Sequence, residues 1–233
     1  MDRFSTPPSD AMDTQIATLR KTRILQPSGV RSGFLSRMFL VPKPDGSSRP
    51  ILNLRRLNAF LKVRPFRLFS HFRVPSFLQR GDYLVELDLS QAYFHIFVKP
   101  SHQRFLSLTY RGTVYSMTCL PFGLASAPRT FASITNWVAA FLQRRGVRIV
   151  VYLDDFLLAN QDPDELTSQV RDVLSILHFL GWQVNHEKSS LQPAPALVFL
   201  GISGDPHLDV KSLPLDKQRS ILRLANQLLA SGL

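Results

Sequence analysis

The sequence predicts an α+β fold in which helices cover one face of an antiparallel sheet. Patterns typical of strands and helices alternate in the order strand, helix, strand–turn–strand, helix, strand, which makes the strand at 83–89 and the hairpin at 148–159 neighbours in one sheet. The chain has 233 residues, of which 45% are hydrophobic and 17 are Phe. It can therefore bury a core in one large domain or in two or three subdomains.

Cysteine content and hydropathy narrow the class of protein. The single cysteine, Cys119, excludes an internal disulfide and a cysteine-rich metal site, which suits a reducing compartment. No apolar run approaches the roughly 20 residues that a membrane span needs, and the N-terminus lacks the apolar segment of a signal peptide. We therefore expect a soluble intracellular protein, cytoplasmic or nuclear, that is neither secreted nor inserted in a membrane.

Positive charge is concentrated in one block of the chain. The formal net charge is +11, and residues 20–80 contain 14 Lys and Arg against one acid, Asp45. A basic face solvated by water is one interpretation of this block. A block with so large an excess of positive charge more often binds phosphate groups, however, and the charge distribution therefore favours a nucleic acid as partner.

The N-terminal third predicts a flexible segment followed by a hairpin. Residues 1–19 are rich in Ser, Thr, Pro and Asp and are expected to be loosely ordered. Apolar segments at 34–41 and 49–54 flank a Pro-Asp-Gly turn, so they should form a hairpin with Lys43 and Arg49 near its tip. These two cations either hold a polyphosphate or are solvated surface charges.

The middle of the chain predicts further strands and a long helix. In the strand at 83–89, Asp88 shares a face with Glu86 and Leu84. The remaining elements are a short helix at 71–80, a turn at 90–96, a strand at 104–110, its hairpin partner at 114–117, a loop at 120–128, and a helix that ends before Gly146 and buries Phe131, Ile134, Val138, Phe141 and Leu142.

Capping signals mark the helices of the last third. Asp162, followed by proline and two acids, is typical of a helix N-terminus, and Gly181 is typical of the end of that helix. Short strands are predicted at 182–185 and 197–200. An amphipathic helix is predicted from 216 to 229.

Two adjacent aspartates, Asp154 and Asp155, lie at the turn of the apolar hairpin at 148–159. Ionised carboxylates beside so much apolar sequence repel each other and resist desolvation, at a cost of several kcal/mol unless a positive charge neutralises them. A divalent cation would supply that charge. For this motif taken alone, the alternative is an ordinary hairpin whose Asp-Asp turn points into water.

Six motifs in a fixed order resemble those of reverse transcriptases and together span about residues 33–201. They are the hairpin with 43–50 and 54–58, Asp88-Leu89-Ser90-Gln91-Ala92-Tyr93-Phe94, the loop 120–128, Tyr152-Leu153-Asp154-Asp155, residues 180–189, and Phe199-Leu200-Gly201. The resemblance implies a right-hand polymerase fold whose palm contains the predicted sheet. It divides the chain into a flexible segment at 1–19, fingers at 20–63 and 96–126, a palm at 64–95 and 127–204, and the beginning of a thumb at 205–233.

The resemblance also implies the chemistry of the site. Nucleotide addition is a phosphoryl transfer in which a primer 3′-hydroxyl attacks the α-phosphate of a dNTP and pyrophosphate leaves, assisted by two Mg²⁺ ions about 3.5–4 Å apart, with Mn²⁺ as a substitute. Asp88, Asp154 and Asp155 would be catalytic and would bind the metal, together with the backbone carbonyl of Leu89. Lys188 either matches the family's proton donor to pyrophosphate or is a surface lysine.

Five further residues are implied to bind the substrate. Lys43 and Arg49 match fingers residues that hold the triphosphate, and the fixed fork of Arg49 suits bidentate phosphate contact. Tyr93 is either a core aromatic or the family's bulky steric gate against a ribose 2′-hydroxyl, which favours DNA synthesis. Phe122 and Gly123 would line the nucleotide pocket, although many retroviral members have Gln in place of Phe122.

The amino-acid sequences of the motifs at 54–58, 92–96 and 120–128 are most similar to those of retrotransposons of the tyrosine-recombinase (DIRS-like) group. The expected function is an RNA-directed DNA polymerase of a retrotransposon that uses dNTPs and an RNA or DNA template with a primer. The chain is expected to be truncated after the palm, without the ribonuclease H or recombinase domains of a polyprotein. The alternatives are a catalytically inactive remnant that only binds nucleic acid through residues 20–80, and a polymerase that makes RNA.

Overall fold

The computed structural model of the chain describes residues 5–28, 33–43, 46–69, 73–207, 210–212 and 218–220, together with Arg223 and Gln227. The chain divides into two compact units, one formed by Met1–Phe66 and Gln91–Ser133 and the other by Arg67–Ser90 and Ile134–Leu233. The helix expected from 216 to 229 falls for the most part outside the described residues. Within them, no helix combines the length and the apolar character needed to cross a bilayer.

Helices and antiparallel strands alternate along the chain, which confirms the predicted α+β fold. The helices are α1 (Asp10–Lys21), α2 (Arg55–Asn58), α3 (Val74–Phe77), α4 (Pro100–Gln103), α5 (Ala127–Gln143) and α6 (Pro163–Phe179). The strands are β1 (Leu25–Pro27), β2 (Met38–Pro42), β3 (Ser48–Leu52), β4 (Tyr83–Asp88), β5 (Ser107–Tyr110), β6 (Thr113–Met117), β7 (Ile149–Tyr152), β8 (Asp155–Asn160), β9 (Ser190–Ala194), β10 (Leu197–Phe199), β11 (Ile202–Asp205) and β12 (Val210–Ser212).

The first unit contains a three-stranded sheet in the order β1-β6-β5 and the hairpin of β2 and β3, which confirms the hairpin predicted from the Pro-Asp-Gly turn. Helix α1 shows that the expectation of a loosely ordered segment at 1–19 is wrong for most of that segment. Ser9 accepts a hydrogen bond from the Met12 N–H, and Met12, Ile16 and Leu19 are buried at helical spacing. These few apolar side chains were outweighed by the polar composition of the segment.

The second unit is built on a four-stranded antiparallel sheet in the order β7-β8-β4-β9. Strands β4 and β8 are central and pair continuously from Tyr83 opposite Asn160 to Asp88 opposite Asp155. The prediction that the Asp88 strand and the Asp-Asp hairpin are neighbouring central strands is therefore confirmed. Helix α6 packs against β4, β8 and β9, and its buried residues are Leu166, Val170, Val173 and Leu177.

The strand predicted at 182–185 is wrong, because the ladder forms further along the chain. Residues 182–185 contribute one isolated bridge, between Leu89 and Val184, and the edge strand is β9. Pro193 lies within β9, and proline argues against a central strand. An edge strand tolerates proline because one side of its backbone needs no partner.

A buried ion pair ties the sheet of the second unit to the segment before β4. Asp82 is completely buried, and both its oxygens accept from the Arg148 guanidinium at 2.7 and 2.9 Å. The Gln79 N–H donates to the same carboxylate at 2.7 Å, and Arg148 also donates to the Phe77 carbonyl at 2.9 Å. The pair therefore fixes the start of β7 against the helix α3 region.

Asp82→Ala should lower the free energy of unfolding by about 3 kcal/mol, because it leaves the partly buried Arg148 guanidinium unpaired. Urea denaturation followed by circular dichroism measures this change. Arg111→Ala is the matched control, since the Arg111–Asp13 pair is exposed on both sides and is screened by solvent and salt. An equal loss of stability in the two variants would contradict a structural role for the buried pair.

Candidate active site

The pairing of β4 with β8 brings the predicted carboxylates together. Asp88 lies opposite Asp155, so their side chains share one face of the sheet, and Asp154 occupies the two-residue turn between β7 and β8. The Leu89 N–H donates to the Asp154 carbonyl at 3.0 Å. All four predicted metal-binding residues thus belong to one hydrogen-bonded patch of the second unit.

The turn that carries Asp154 has an unusual backbone conformation. Leu153 precedes Asp154 in the turn and has a φ of 55°, a region that bulky L-residues rarely occupy and that glycine usually fills in such tight turns. A conformation of this kind costs on the order of 1–2 kcal/mol. The flanking pairs, which begin with Tyr152 opposite Asp155, hold the turn in place.

Burial and mutual repulsion raise the pKa values of two acids at this site. The pKa of Asp155 is raised to about 7 by burial first, and then by the charges of Asp154, Asp88 and Glu86 and a hydrogen bond with Asp88. The pKa of Glu86 is also raised to about 7, by burial and then by the Asp88 charge. Alternation along β4 places Glu86 on the Asp88 face, yet the sequence analysis gave it no role.

The donor set fits a hard divalent cation. Carboxylate oxygens are the ligands that Mg²⁺ and Mn²⁺ prefer, and burial together with the neighbouring carboxylates raises the pKa values of Asp155 and Glu86. In the part of the chain that the structure describes, no three acidic, histidine or cysteine side chains are arranged to enclose a metal ion. Mg²⁺ in nucleotide-dependent enzymes is commonly held by one or two carboxylates, with water and substrate phosphates completing its shell.

Residues 185–189 clamp the backbone of Asp88 from the side opposite β8. The Asp88 N–H donates to Ser189 Oγ at 3.0 Å, and the Asp88 carbonyl accepts from the Asn185 N–H at 2.8 Å. Ser189 Oγ in turn donates to the Asn185 carbonyl at 2.7 Å. Lys188, which was predicted from the sequence as a candidate proton donor, lies in this turn next to Ser189. The Lys188 N–H donates to the Asn185 carbonyl at 3.2 Å, and the Lys188 side chain is exposed.

In the first unit, three of the predicted substrate-binding residues are in contact. The Arg49 guanidinium carbon lies 4.9 Å from the centre of the Phe122 ring. The Phe122 and Tyr93 ring centres are 4.8 Å apart, and Tyr93 meets Phe131 edge-on at 5.5 Å. Tyr93 is half-buried, so it is packed among aromatic rings while part of its surface remains accessible.

Gly123 occupies a position that other residues could not fill. Its φ is 102°, and a Cβ there would collide with the Leu52 carbonyl oxygen. The Leu52 N–H donates to the Phe122 carbonyl at 3.0 Å. Asn58 holds the same loop with both ends of its side-chain amide, donating to the Gly123 carbonyl at 2.9 Å and accepting from the Ala125 N–H at 2.9 Å. Asn58 belongs to the motif at 54–58, although no role was predicted for it from the sequence.

Lys43 and Arg49 lie on the hairpin of β2 and β3. The Lys43 N–H donates to the Ser47 carbonyl at 2.8 Å, and Arg49 pairs with Val41. The Arg49 side chain is exposed and that of Lys43 is half-buried. The structure therefore places the phosphate-binding and sugar-binding candidates in the first unit, and the carboxylates and Lys188 in the second.

Comparison with known proteins confirms the resemblance to reverse transcriptases that the sequence motifs indicated. The family model described as "Reverse transcriptase (RNA-dependent DNA polymerase)" matches residues 41–203. The chain is 29% identical over 155 residues to the Pro-Pol polyprotein of simian foamy virus type 3 (strain LK3), covering 66% of the chain and 13% of that protein. It is 29% identical over 178 residues to Protein P of duck hepatitis B virus (strain Germany/DHBV-3), covering 73% of the chain and 23% of that protein. The chain thus spans less than a quarter of the length of these relatives.

Solved structures share the fold. A foamy viral protease-reverse transcriptase in complex with double-stranded DNA matches 95% of this chain and 37% of its own, with a TM-score of 0.81 and 23% identity. The foamy viral protease-reverse transcriptase in complex with an RNA/DNA hybrid matches 94% of this chain and 29% of its own, with a TM-score of 0.75 and 23% identity. This likeness confirms the polymerase fold expected from the sequence.

Ser189→Ala should weaken the site by leaving the Asp88 N–H without its acceptor. An unsatisfied, partly buried N–H costs about 1–3 kcal/mol, and loss of an outer contact to a metal ligand typically lowers metal affinity about 10-fold or more. We expect a Mn²⁺ titration by calorimetry to show this loss. Ser189→Thr keeps a hydroxyl and should restore binding. Ser175→Ala, which removes an exposed hydroxyl from α6, is the control, and equal Mn²⁺ affinity in the two alanine variants would exclude this role of Ser189.

The metal-free protein should lose stability as pH rises towards 7, because the Asp155 pKa of about 7 lies above its ordinary value of 3.8. The folded state binds this proton more tightly, so the contribution is complete below about pH 4 and is lost between pH 4 and 7. Asp155→Asn cannot ionise, and the gain in melting temperature that it causes should be larger at pH 8 than at pH 5. A gain that is independent of pH would contradict the raised pKa.

Proposed function

This chain belongs to the reverse transcriptase family, and we propose that it acts as an RNA-directed DNA polymerase of a retroelement, extending a primer with dNTPs on an RNA or DNA template. The main support is the pairing of Asp88 with Asp155 beside Asp154, which brings three carboxylates together at one end of the paired strands β4 and β8. The basic block at 20–80 of the sequence supplies positive charge suited to the phosphates of a template and primer.

Asp88, Asp154, Asp155 and the Leu89 carbonyl are the groups that would hold two Mg²⁺ ions, with Mn²⁺ as a substitute. Members of this family use divalent metal ions. Such ions, when bound, lower the pKa of an attacking hydroxyl and stabilise charge on the departing pyrophosphate. The carboxylates would orient the ions, and because the pKa values of Asp155 and Glu86 are both raised to about 7, these groups must lose their protons before the site is fully anionic.

Contacts in the first unit support the proposed substrate-binding roles. Arg49, stacked on Phe122 with its N–H edges available, suits the triphosphate, and Lys43 adds a second cation on the same hairpin. Tyr93, packed on Phe122, would sit beneath the sugar and exclude a 2′-hydroxyl, while Phe122 and Gly123 would line the nucleotide pocket. Lys188, exposed in the turn that holds Asp88, would donate a proton to pyrophosphate.

The finer assignment is a retroelement of the tyrosine-recombinase (DIRS-like) group. This assignment is supported by the amino-acid sequences of the motifs at 54–58, 92–96 and 120–128. In such an element the polymerase would work beside ribonuclease H and recombinase domains. Sequencing the genomic DNA around the coding region tests this assignment, which fails if an integrase of another class is found in place of a recombinase.

Primer extension on a primed RNA template with Mg²⁺ and dNTPs tests the proposed function. Asp154→Asn should lower extension more than about a hundredfold, since even outer-shell partners of a metal contribute about 10–100-fold. Asp164→Asn makes the same chemical change on the exposed start of α6 and should extend primers normally. Tyr93→Ala should admit ribonucleotides that the natural chain rejects.

Two results would overturn the proposal. If the protein binds primed template with steep salt dependence but elongates nothing, and Asp154→Asn behaves identically, the chain is a remnant that only binds nucleic acid. If Tyr93→Ala leaves the choice of sugar unchanged, Tyr93 is not the steric gate, and synthesis of RNA becomes the better description.

A further inference from the structure

Helix α5 carries an exposed aromatic surface in the second unit. Trp137 is 65% exposed, and its ring stacks on that of Phe141 with centres 6.3 Å apart and planes at 19°. The guanidinium carbon of Arg145 lies 3.6 Å from the centre of the Phe141 ring. These three residues recur every four positions, so they form a continuous stack of flat groups along one side of the helix.

The surroundings of this stack are basic. From Ile134 to Gly146 the sequence contains two arginines, Arg144 and Arg145, and no acid. Asn136, the neighbour of Trp137, lines a cavity of about 530 Å³ together with Arg67, Leu68, Phe69 and Arg73. Both the helix and the cavity beside it therefore present positive charge.

Ordinary structural roles account for only part of this surface. Arg144 and Arg145 follow the C-terminus of α5, where cations interact favourably with the helix dipole. That interaction does not explain why a tryptophan remains in water, and the chain's other tryptophan, Trp182, is only 7% exposed. An exposed indole beside arginines, with no acid on the helix, is typical of surfaces on which bases stack while cations contact phosphates.

We propose that the α5 platform, defined as Asn136, Trp137, Phe141, Arg144 and Arg145, binds single-stranded nucleic acid. A base would stack on Trp137, and phosphates would contact Arg144 and Arg145, whose guanidinium groups keep N–H donors at their edges. Residues 137–143 of the helix span about 9 Å at about 1.5 Å per residue, enough for about two stacked nucleotides at about 3.4 Å each. The arginines of the neighbouring cavity extend the positive surface.

The platform is separate from the proposed polymerase site in its residues. It includes neither the carboxylates nor the hairpin and loop assigned to the nucleotide. Stacking and phosphate contact are indifferent to the 2′-hydroxyl, so the platform should accept an RNA or a DNA strand. The chemistry it recognises is an unpaired polyanionic strand with accessible base faces.

Tryptophan fluorescence tests the proposal, because Trp182 is buried and Trp137 is not. Titration of the whole chain with 12-nucleotide oligo(dT) or oligo(U) should quench the emission, and Trp137→Ala should abolish the quenching. Anisotropy of labelled oligonucleotides should show affinity about tenfold weaker in Trp137→Ala and in Arg145→Ala, within the range expected for loss of one stacked base. Arg145→Ala should also reduce the slope of log affinity against log salt by about one.

Phe179→Ala and Arg171→Ala are matched controls, since they remove an 88% exposed aromatic and an exposed arginine from α6. Binding to the platform is overturned if Trp137→Ala binds the oligonucleotides as tightly as Phe179→Ala, or if bound oligonucleotide leaves the emission unchanged. It is also overturned if the chain forms a dimer that Trp137→Ala dissociates, which assigns the surface to a second copy. Extension of a short primed duplex should be equal in Trp137→Ala and Phe179→Ala, so the polymerase is judged separately.

Discussion

The register between β4 and β8 is the constraint on which the candidate active site depends. A shift of one residue would place Asp88 opposite a residue other than Asp155 and would exchange the two faces of the strand. Both faces are apolar: Leu84 and Leu157 are buried on the carboxylate face, and Val85, Leu87, Phe156 and Leu158 on the other. Slippage would therefore bring charged residues into the core, and burial of these side chains fixes the position of the carboxylates.

The same core offsets the electrostatic cost of the site. Raising the pKa of Asp155 to about 7 corresponds to destabilisation of its charged form by a few kcal/mol, and Glu86 adds to it. Each fully buried Leu, Val or Phe of the two central strands contributes about 1.5–3 kcal/mol in the opposite direction. A bound cation would relieve the repulsion. The repulsion among these carboxylates would therefore favour binding of a cation.

Patterns within short stretches of sequence predicted the strands, turns and helix ends whose formation depends on neighbouring residues. The alternation at 83–89, the Asp-Asp turn and the helix capped by Asp162, which accepts from the Asp164 and Glu165 N–H groups, could all be identified from the sequence. Helix α1 and strand β9 could not, because polar composition and a proline masked them. Ser189 and Asn58 lie in two of the recognised motifs, but their contacts, to Asp88 and to the Gly123 loop, could not be predicted because they cross 101 and 65 residues of chain. No window of sequence contains both partners.

Much of the site is positioned by the backbone. The Leu89 N–H binds the Asp154 carbonyl, the Asn185 N–H binds the Asp88 carbonyl, and the Leu52 N–H binds the Phe122 carbonyl. Such contacts do not depend on which side chain a residue carries, provided that the local φ and ψ can be adopted. Substitutions can therefore accumulate around the carboxylates without moving them. Gly123 is an exception, because its φ of 102° and the closeness of the Leu52 carbonyl leave no room for a side chain.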